Sequence, residues 1–95
     1  SADHMAIPFA SEGVAITDKA AILRAINDPA TLDRLARVEH RRWMTDRIEQ
    51  GWRHGETRDN NRLIHPSICD FDALSADDKE KDRNAVRKLA EIAAG

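Results

Sequence analysis

The sequence predicts a small, mainly α domain of about three helices, joined by a short extended or hairpin-like loop segment. Apolar residues recur every three or four positions in three separate stretches, which is typical of helices with one buried face. Strong helix boundaries stand at Asp28-Pro29, at Gly51 and at Ser75. A length of 95 residues, with 41% hydrophobic and 34% charged residues, fits one highly charged domain with a small core.

Residues 1–14 are predicted to be a lead-in without regular structure, followed by a single domain over residues 15–95. Positions 1–5 have the composition of a cloning scar and are excluded from the chemistry. Pro8 interrupts any helical pattern in the lead-in. We nevertheless expect Ile7 and Phe9 to lie against the core.

Two helices are predicted before the middle of the chain. The first covers residues 18–27, with Thr17 as its N-cap. The second runs from residue 29 to about residue 50, because Asp28 is a suitable N-cap and Pro29 needs no N–H at the first helical position.

Trp43 lies on the apolar face of the second predicted helix, which indicates a role in the core. That face also carries Leu32, Leu35 and Ala36. His40 and Arg47 lie beside Trp43, so an imidazole and a cation interrupt the apolar stripe. A buried His40 needs a hydrogen-bond partner, and Arg47 can bury its stem while its head stays paired or solvated.

The second half of the chain is predicted to contain the extended segment, over residues 51–62, and a last helix from residue 76 to about 93. Ser75 begins that helix with a capping-box-like pattern. Asp82 falls on its inward face, where it is expected to pair with Arg47 or His40. With Trp43, these three residues form a predicted structural network.

Composition excludes several function classes. A net charge of −2 does not favour extended nucleic-acid binding, and no apolar run is long enough for a membrane span. A single cysteine, Cys69, fits a reducing, cytoplasmic location. No metal-ligand spacing, activated nucleophile or glycine-rich phosphate loop is present, so neither an enzyme, a metal nor a cofactor is predicted.

One succession of residues over positions 32–89 is more specific than any generic motif. It reads H-x-x-W, G-W-x-x-G, H-P and K-x-x-D-R, beginning at His40, Gly51, His65 and Lys79. This order resembles the RyR domain, the repeat of ryanodine receptors that also occurs singly in bacterial and phage proteins. The chain departs from the family at His54 and Phe71, where tyrosine is common.

The resemblance implies a helical domain with a short hairpin and no catalytic activity. Receptor repeats occur as tandem pairs with approximate two-fold symmetry, so a single copy implies either a homodimer or a module fused to an effector domain. Bacterial members resemble accessory sensor modules of larger proteins. Adenine-type ligands are associated with the receptor-type repeats.

Trp52 is the predicted centre of a ligand site, because it follows a helix-ending glycine and an exposed indole can stack on a purine. Cations for the phosphates of a nucleotide-type ligand would come from Arg53, Arg58, His65 and Arg83. Structural alternatives stay open: Arg58 can brace the loop against Asp59, and His65 can make structural hydrogen bonds. The alternative function is a protein-interaction or dimerisation module, without a small ligand, in which Trp52 anchors the interface.

Overall fold

The computed structural model describes the backbone of residues 2–94 and the side chains of residues 7–93. Its helices are α1 (Ala2–Ser11), α2 (Lys19–Asn27), α3 (Pro29–Glu49) and α4 (Ala76–Ala94). Two short strands, β1 (Arg53–His54) and β2 (Ile64–His65), and a 3-10 helix (Phe71–Ala73) lie between α3 and α4. The predicted mainly α fold with a short extended segment is confirmed.

The lead-in is helical, so the expectation of irregular structure there was wrong. Pro8 lies inside α1, where a proline normally disrupts a helix. Packing of α1 against α3, with Phe9 completely buried, outweighs that local signal. Ile7 is 43% exposed rather than part of the core. The cloning-scar interpretation concerns positions whose side chains lie outside the described residues.

Side-chain caps set the starts of three helices. The Asp18 carboxylate accepts the Ala21 N–H at 3.1 Å, so Asp18 rather than the predicted Thr17 caps α2. Asp28 caps α3 as predicted, with the Thr31 N–H as donor at 3.1 Å. The caps of α2 and α3 each satisfy an N–H group that has no partner within its helix.

Ser75 caps α4 in the same way, by accepting the Asp78 N–H at 3.1 Å. At the other end of α3, the chain reverses at Gly51. Its φ of +99° is unfavourable for a residue with a side chain.

The two strands pair in parallel rather than as a hairpin, with Arg53 opposite Ile64 and His54 opposite His65. The loop between them turns back on itself at Asp59. Its carboxylate accepts the N–H groups of Asn61 at 3.0 Å and Arg62 at 3.2 Å. This loop makes the parallel register possible with only nine residues between the strands.

The core lies between α1, α2, α3 and α4, with the 3-10 helix closing one side. Its buried apolar members are Phe9, Ile22, Ala25, Leu32, Leu35, Ala36, Phe71, Leu74, Val86 and Ala90. Ile92, near the end of α4, is 54% exposed and lies outside this core. Over residues 2–94, no helix combines the length and the apolar character needed to cross a membrane.

Candidate functional site

A pocket of about 310 Å³ opens where α3, the β2 segment and α4 meet. Its lining combines an indole, two imidazoles, two cations and two carboxylates, together with a serine and a leucine. The residues are His40, Trp43, Arg58, His65, Ser67, Leu74, Asp78, Lys81 and Asp82. This is the size of a small-ligand site, and its polar groups belong to different elements that only the fold brings together.

His40 is the buried group behind this pocket, with only 3% of its surface exposed. Its Nε2 lies 2.7 Å from the Cys69 carbonyl oxygen, and its Nδ1 lies 3.1 Å from Asp82 Oδ2. The Cys69 carbonyl and the Asp82 carboxylate are both hydrogen-bond acceptors, so they favour a proton on each ring nitrogen of His40. Burial, the largest influence, lowers the pKa of His40, but the contacts with Asp82 and with the Cys69 carbonyl outweigh it and raise the pKa overall.

Asp82 therefore faces His40 rather than Arg47, its other predicted partner. Its Oδ2 atom is fully buried, and among the described residues no donor makes an aligned hydrogen bond to that oxygen. At 3.1 Å from His40 Nδ1, the contact is an ion pair whose geometry falls short of an aligned hydrogen bond. The carboxylate is thus held in place while part of its hydrogen-bonding capacity remains unused.

The two tryptophans exchange the roles predicted for them. Trp52 is buried, with 9% of its surface exposed, whereas Trp43 is half-buried and lines the pocket. The Arg47 guanidinium lies 5.8 Å from the Trp43 ring centroid and 5.6 Å from that of Trp52. Both distances fit cation–π contacts, so Arg47 ties the two indoles together.

His65 lies at the edge of both indoles, with ring centroids 5.3 Å from Trp43 and 6.0 Å from Trp52. Its Nδ1 accepts the Ser67 N–H at 3.0 Å, which leaves the ring proton on Nε2. Burial first, and then the charges of Arg58 and Arg47, lower the pKa of His65. The pocket therefore contains one imidazole that favours the charged form and one that favours the neutral form.

Of the five residues predicted to bind a ligand, only Arg58 and His65 line the pocket. Trp52 lies beneath His65. Arg53 is exposed and donates to the carbonyl oxygen of Trp52 at 2.8 Å. Arg83 is held elsewhere, by ion pairs with carboxylates of α3 and α4.

Arg58 does not brace the loop against Asp59, which was the structural alternative. Its Nε donates to Asn60 Oδ1 at 2.9 Å, and the ion pair of Asp59 is instead with Arg62, at 3.7 Å. Among the described residues no carboxylate lies within ion-pair distance of Arg58. Its positive charge is therefore available at the pocket.

Four lining residues were not predicted: Ser67, Leu74, Asp78 and Lys81. Asp78 and Lys81 lie four residues and one residue before Asp82 on α4, and the i,i+4 spacing of the two aspartates places them on one face. That spacing was the signal available in the sequence. Within residues 7–93, no group of three or more His, Cys, Asp and Glu side chains could hold a metal ion.

A comparison with known protein families gives a match that covers most of the chain. The family model of the RyR domain matches residues 19–93. The match includes α2, which the sequence resemblance over positions 32–89 left outside the repeat, and it extends into the last turn of α4. By this match, and with the motif residues in the places described above, the chain belongs to the RyR domain family.

Proposed function

We propose that this domain is a non-catalytic sensor module that binds a small nucleotide-type ligand in the pocket between α3, β2 and α4. One observation carries the proposal: a half-buried indole, a neutral imidazole and two cationic side chains line a single pocket of about 310 Å³. Ligand pockets of proteins begin at about this volume. Such a combination suits a ligand with an aromatic ring and an anionic group.

Trp43 is the proposed stacking surface, in place of the Trp52 favoured by the sequence. A ring face can stack on a base only where it is accessible, and Trp52 is 9% exposed. The Trp43 indole is held by His40, whose ring lies at 27° to it with centroids 5.7 Å apart, and by the edge of His65. A fixed aromatic wall loses little entropy when a ligand binds to it.

Arg58 and Lys81 are the proposed contacts for a phosphate group. The Arg58 guanidinium can bind two oxygens at once, while the Lys81 ammonium acts as a mobile charge at the rim, where its side chain is 80% exposed. Neutral His65 adds an N–H donor without adding charge. The pocket therefore offers three donors to an anionic group.

Tryptophan fluorescence and thermal unfolding test this proposal with AMP, ADP, ATP, cyclic AMP, adenosine and inorganic phosphate. We expect a ligand-dependent change in emission and a rise in melting temperature with at least one nucleotide. The emission change should persist in Trp52→Phe and disappear in Trp43→Phe. The opposite pattern would return the site to Trp52, and no response across the panel would refute nucleotide binding.

Two arginine variants separate phosphate recognition from general charge effects. Arg58→Gln should weaken nucleotide binding by about 10- to 100-fold, the range for a lost charged hydrogen bond. Arg62→Gln is the matched control, because Arg62 is exposed in the same loop and does not line the pocket. Equal losses in both variants would indicate non-specific attraction instead of a defined phosphate contact.

The second candidate function is a protein-interaction or dimerisation module. Its predicted anchor, Trp52, is buried, but four large apolar side chains on the surface are 43–54% exposed: Ile7, Leu23, Ile48 and Ile92. Single exposed apolar residues are normal on a monomer, so the observation is weaker than the pocket. Light scattering over a range of concentrations tests dimerisation. A monomer without nucleotide binding would point to a different protein or domain as the partner.

A further inference from the structure

Asp82 is a pocket carboxylate that an anionic ligand does not explain. Its side chain is 20% exposed while its Oδ2 atom is fully buried, so the exposed surface comes from the other atoms of the side chain. Burying a carboxylate beside a phosphate-binding site is unfavourable unless it receives donors. Oδ2 faces His40, so Oδ1 is the carboxylate oxygen that an N–H or O–H donor on the ligand can reach.

The position of Asp82 relative to Trp43 is fixed by a shared neighbour. His40 contacts the carboxylate through Nδ1 at 3.1 Å, stacks on the Trp43 ring, and is anchored through Nε2 to the Cys69 carbonyl. Because His40 is buried, this chain of contacts has little freedom to rearrange. It holds a hydrogen-bond acceptor beside the aromatic wall before any ligand arrives.

Asp78, the other carboxylate of the pocket, is already engaged. Its Oδ1 lies 3.5 Å from Lys81 Nζ, and its Oδ2 accepts the Ser67 hydroxyl at 3.4 Å. Its side chain is also more exposed than that of Asp82, at 35% against 20%. Asp82 is thus the better-positioned acceptor.

We infer that Asp82 accepts a hydrogen bond from an exocyclic amino group on the base of the ligand, and so selects amino-bearing nucleobases. This inference rests on the proposed nucleotide-binding function. Trp43 and Asp82 line the same pocket and share His40 as a neighbour, so a base that stacks on the indole lies in the pocket that the carboxylate faces. A base without the amino group leaves the Oδ1 atom desolvated and without a donor, which is the situation in which polar sites discriminate most strongly.

Two pairs of nucleotides isolate the amino group. AMP and purine riboside 5′-monophosphate differ only in the 6-amino group, and GMP and IMP differ only in the 2-amino group. Titration calorimetry of the whole chain should show tighter binding of the amino-bearing member in at least one pair. We expect a ratio of about 10- to 100-fold, the range for a hydrogen bond to a charged acceptor.

Asp82→Asn should reduce that ratio to within about threefold, because a neutral amide is a weaker acceptor than a carboxylate. Asp77→Asn is the matched control: it makes the same change of charge on α4 at an exposed position outside the pocket, and it should preserve the ratio. Circular dichroism verifies that both variants are folded. If Asp82→Asn does not fold, the comparison of ligand pairs on the unmodified chain still decides whether the amino group is recognised.

The outcomes separate this inference from the function beneath it. If no nucleotide of either pair binds, the proposed function fails and the inference fails with it. If the members of both pairs bind equally, the domain binds nucleotides but does not recognise an amino group. If the amino-bearing member binds more tightly and Asp82→Asn retains the full ratio, another residue recognises the amino group and the assignment to Asp82 is overturned.

Discussion

Gly55→Ala should destabilise the domain by forcing the end of β1 away from β2, the strand that carries the pocket residue His65. An alanine Cβ at position 55 would collide with Ile64 Cγ2, far inside the ordinary contact distance of 3.4–4 Å. Ile64 has little freedom to move away, because its backbone N–H and C=O both bond to Asp59 at 2.9 Å. The adjacent Leu63 carbonyl also accepts the Arg53 N–H at 2.9 Å.

The loss of stability in Gly55→Ala depends on how the steric clash with the Ile64 side chain is relieved. Rotating the Ile64 side chain about 30° away from its preferred conformation costs about 0.5–1.5 kcal/mol. Moving backbone as well brings the expected loss to about 1–3 kcal/mol, the range for overpacked sites. In a domain of this size, each 1 kcal/mol lowers the melting temperature by about 4–8 °C.

A double-mutant cycle with Ile64→Ala tests that explanation. Urea unfolding followed by circular dichroism should show that Gly55→Ala is nearly neutral once Ile64 Cγ2 is gone, which gives a coupling of about 1–3 kcal/mol. Gly13→Ala is the matched control, since a Cβ there meets nothing within 4 Å and only the φ of +70° opposes it. If Gly55→Ala is equally destabilising with and without the Ile64 side chain, the steric explanation is wrong.

Three further predictions concern the core, a cap and the buried histidine. Leu35→Ala should lower the free energy of unfolding by about 2–5 kcal/mol, whereas Leu23→Ala, at a half-exposed position, should change it far less. Ser75→Ala should lower the free energy of unfolding by about 1 kcal/mol in the same urea assay, because it removes the α4 cap. Ser75→Asp should retain most of that stability, because an aspartate can also cap the helix. The pKa of His40 is raised in the fold, so its contribution to stability is complete below about pH 6.5 and is lost as the pH rises through the folded pKa. Unfolding measured from pH 5 to 8 should show that loss in the unmodified chain and not in His40→Gln; equal pH profiles for both would contradict it.

The starts of α3 and α4 were predictable because a helix cap depends on residues within one turn of it. Asp28 and Ser75 each bond to an N–H three residues further along. The cap of α2 was misplaced by one position because Thr17 and Asp18 are both good N-cap residues and the sequence does not separate them. The apolar stripe of α3 up to Ala36 was also correct, since helical periodicity alone determines it.

Contacts between distant segments were not predictable from the same signals. The parallel pairing of β1 with β2 depends on the turn that Asp59 makes inside the loop, and a polar sequence with two glycines is equally compatible with a hairpin. The helix α1 forms despite Pro8 because it packs on α3. Predicting that Asp78 and Lys81 line the pocket required knowing which segment packs against that face of α4.

Trp43 and Trp52 exchange their predicted roles for a physical reason that helical periodicity does not reveal. The apolar core reaches along α3 only as far as Ala36, and beyond it the same face meets polar residues: His40 contacts Asp82, and Trp43 meets the edge of His65. Periodicity gives the direction in which a side chain points but not how far the apolar cover extends. Trp43 therefore lies where the core ends and the pocket begins.

Trp52 is drawn inward by the reversal of the chain at the end of α3. The backbone N–H of Trp52 donates to the Arg47 carbonyl oxygen at 2.9 Å, and this bond folds the residue back against the last turns of the helix. The Arg47 guanidinium then lies over both indoles, and His65 covers the edge of Trp52. Burying Trp52 thus holds Arg47 and His65 against Trp43, so the indole that the sequence suggested as the binding surface instead supports the one that lines the pocket.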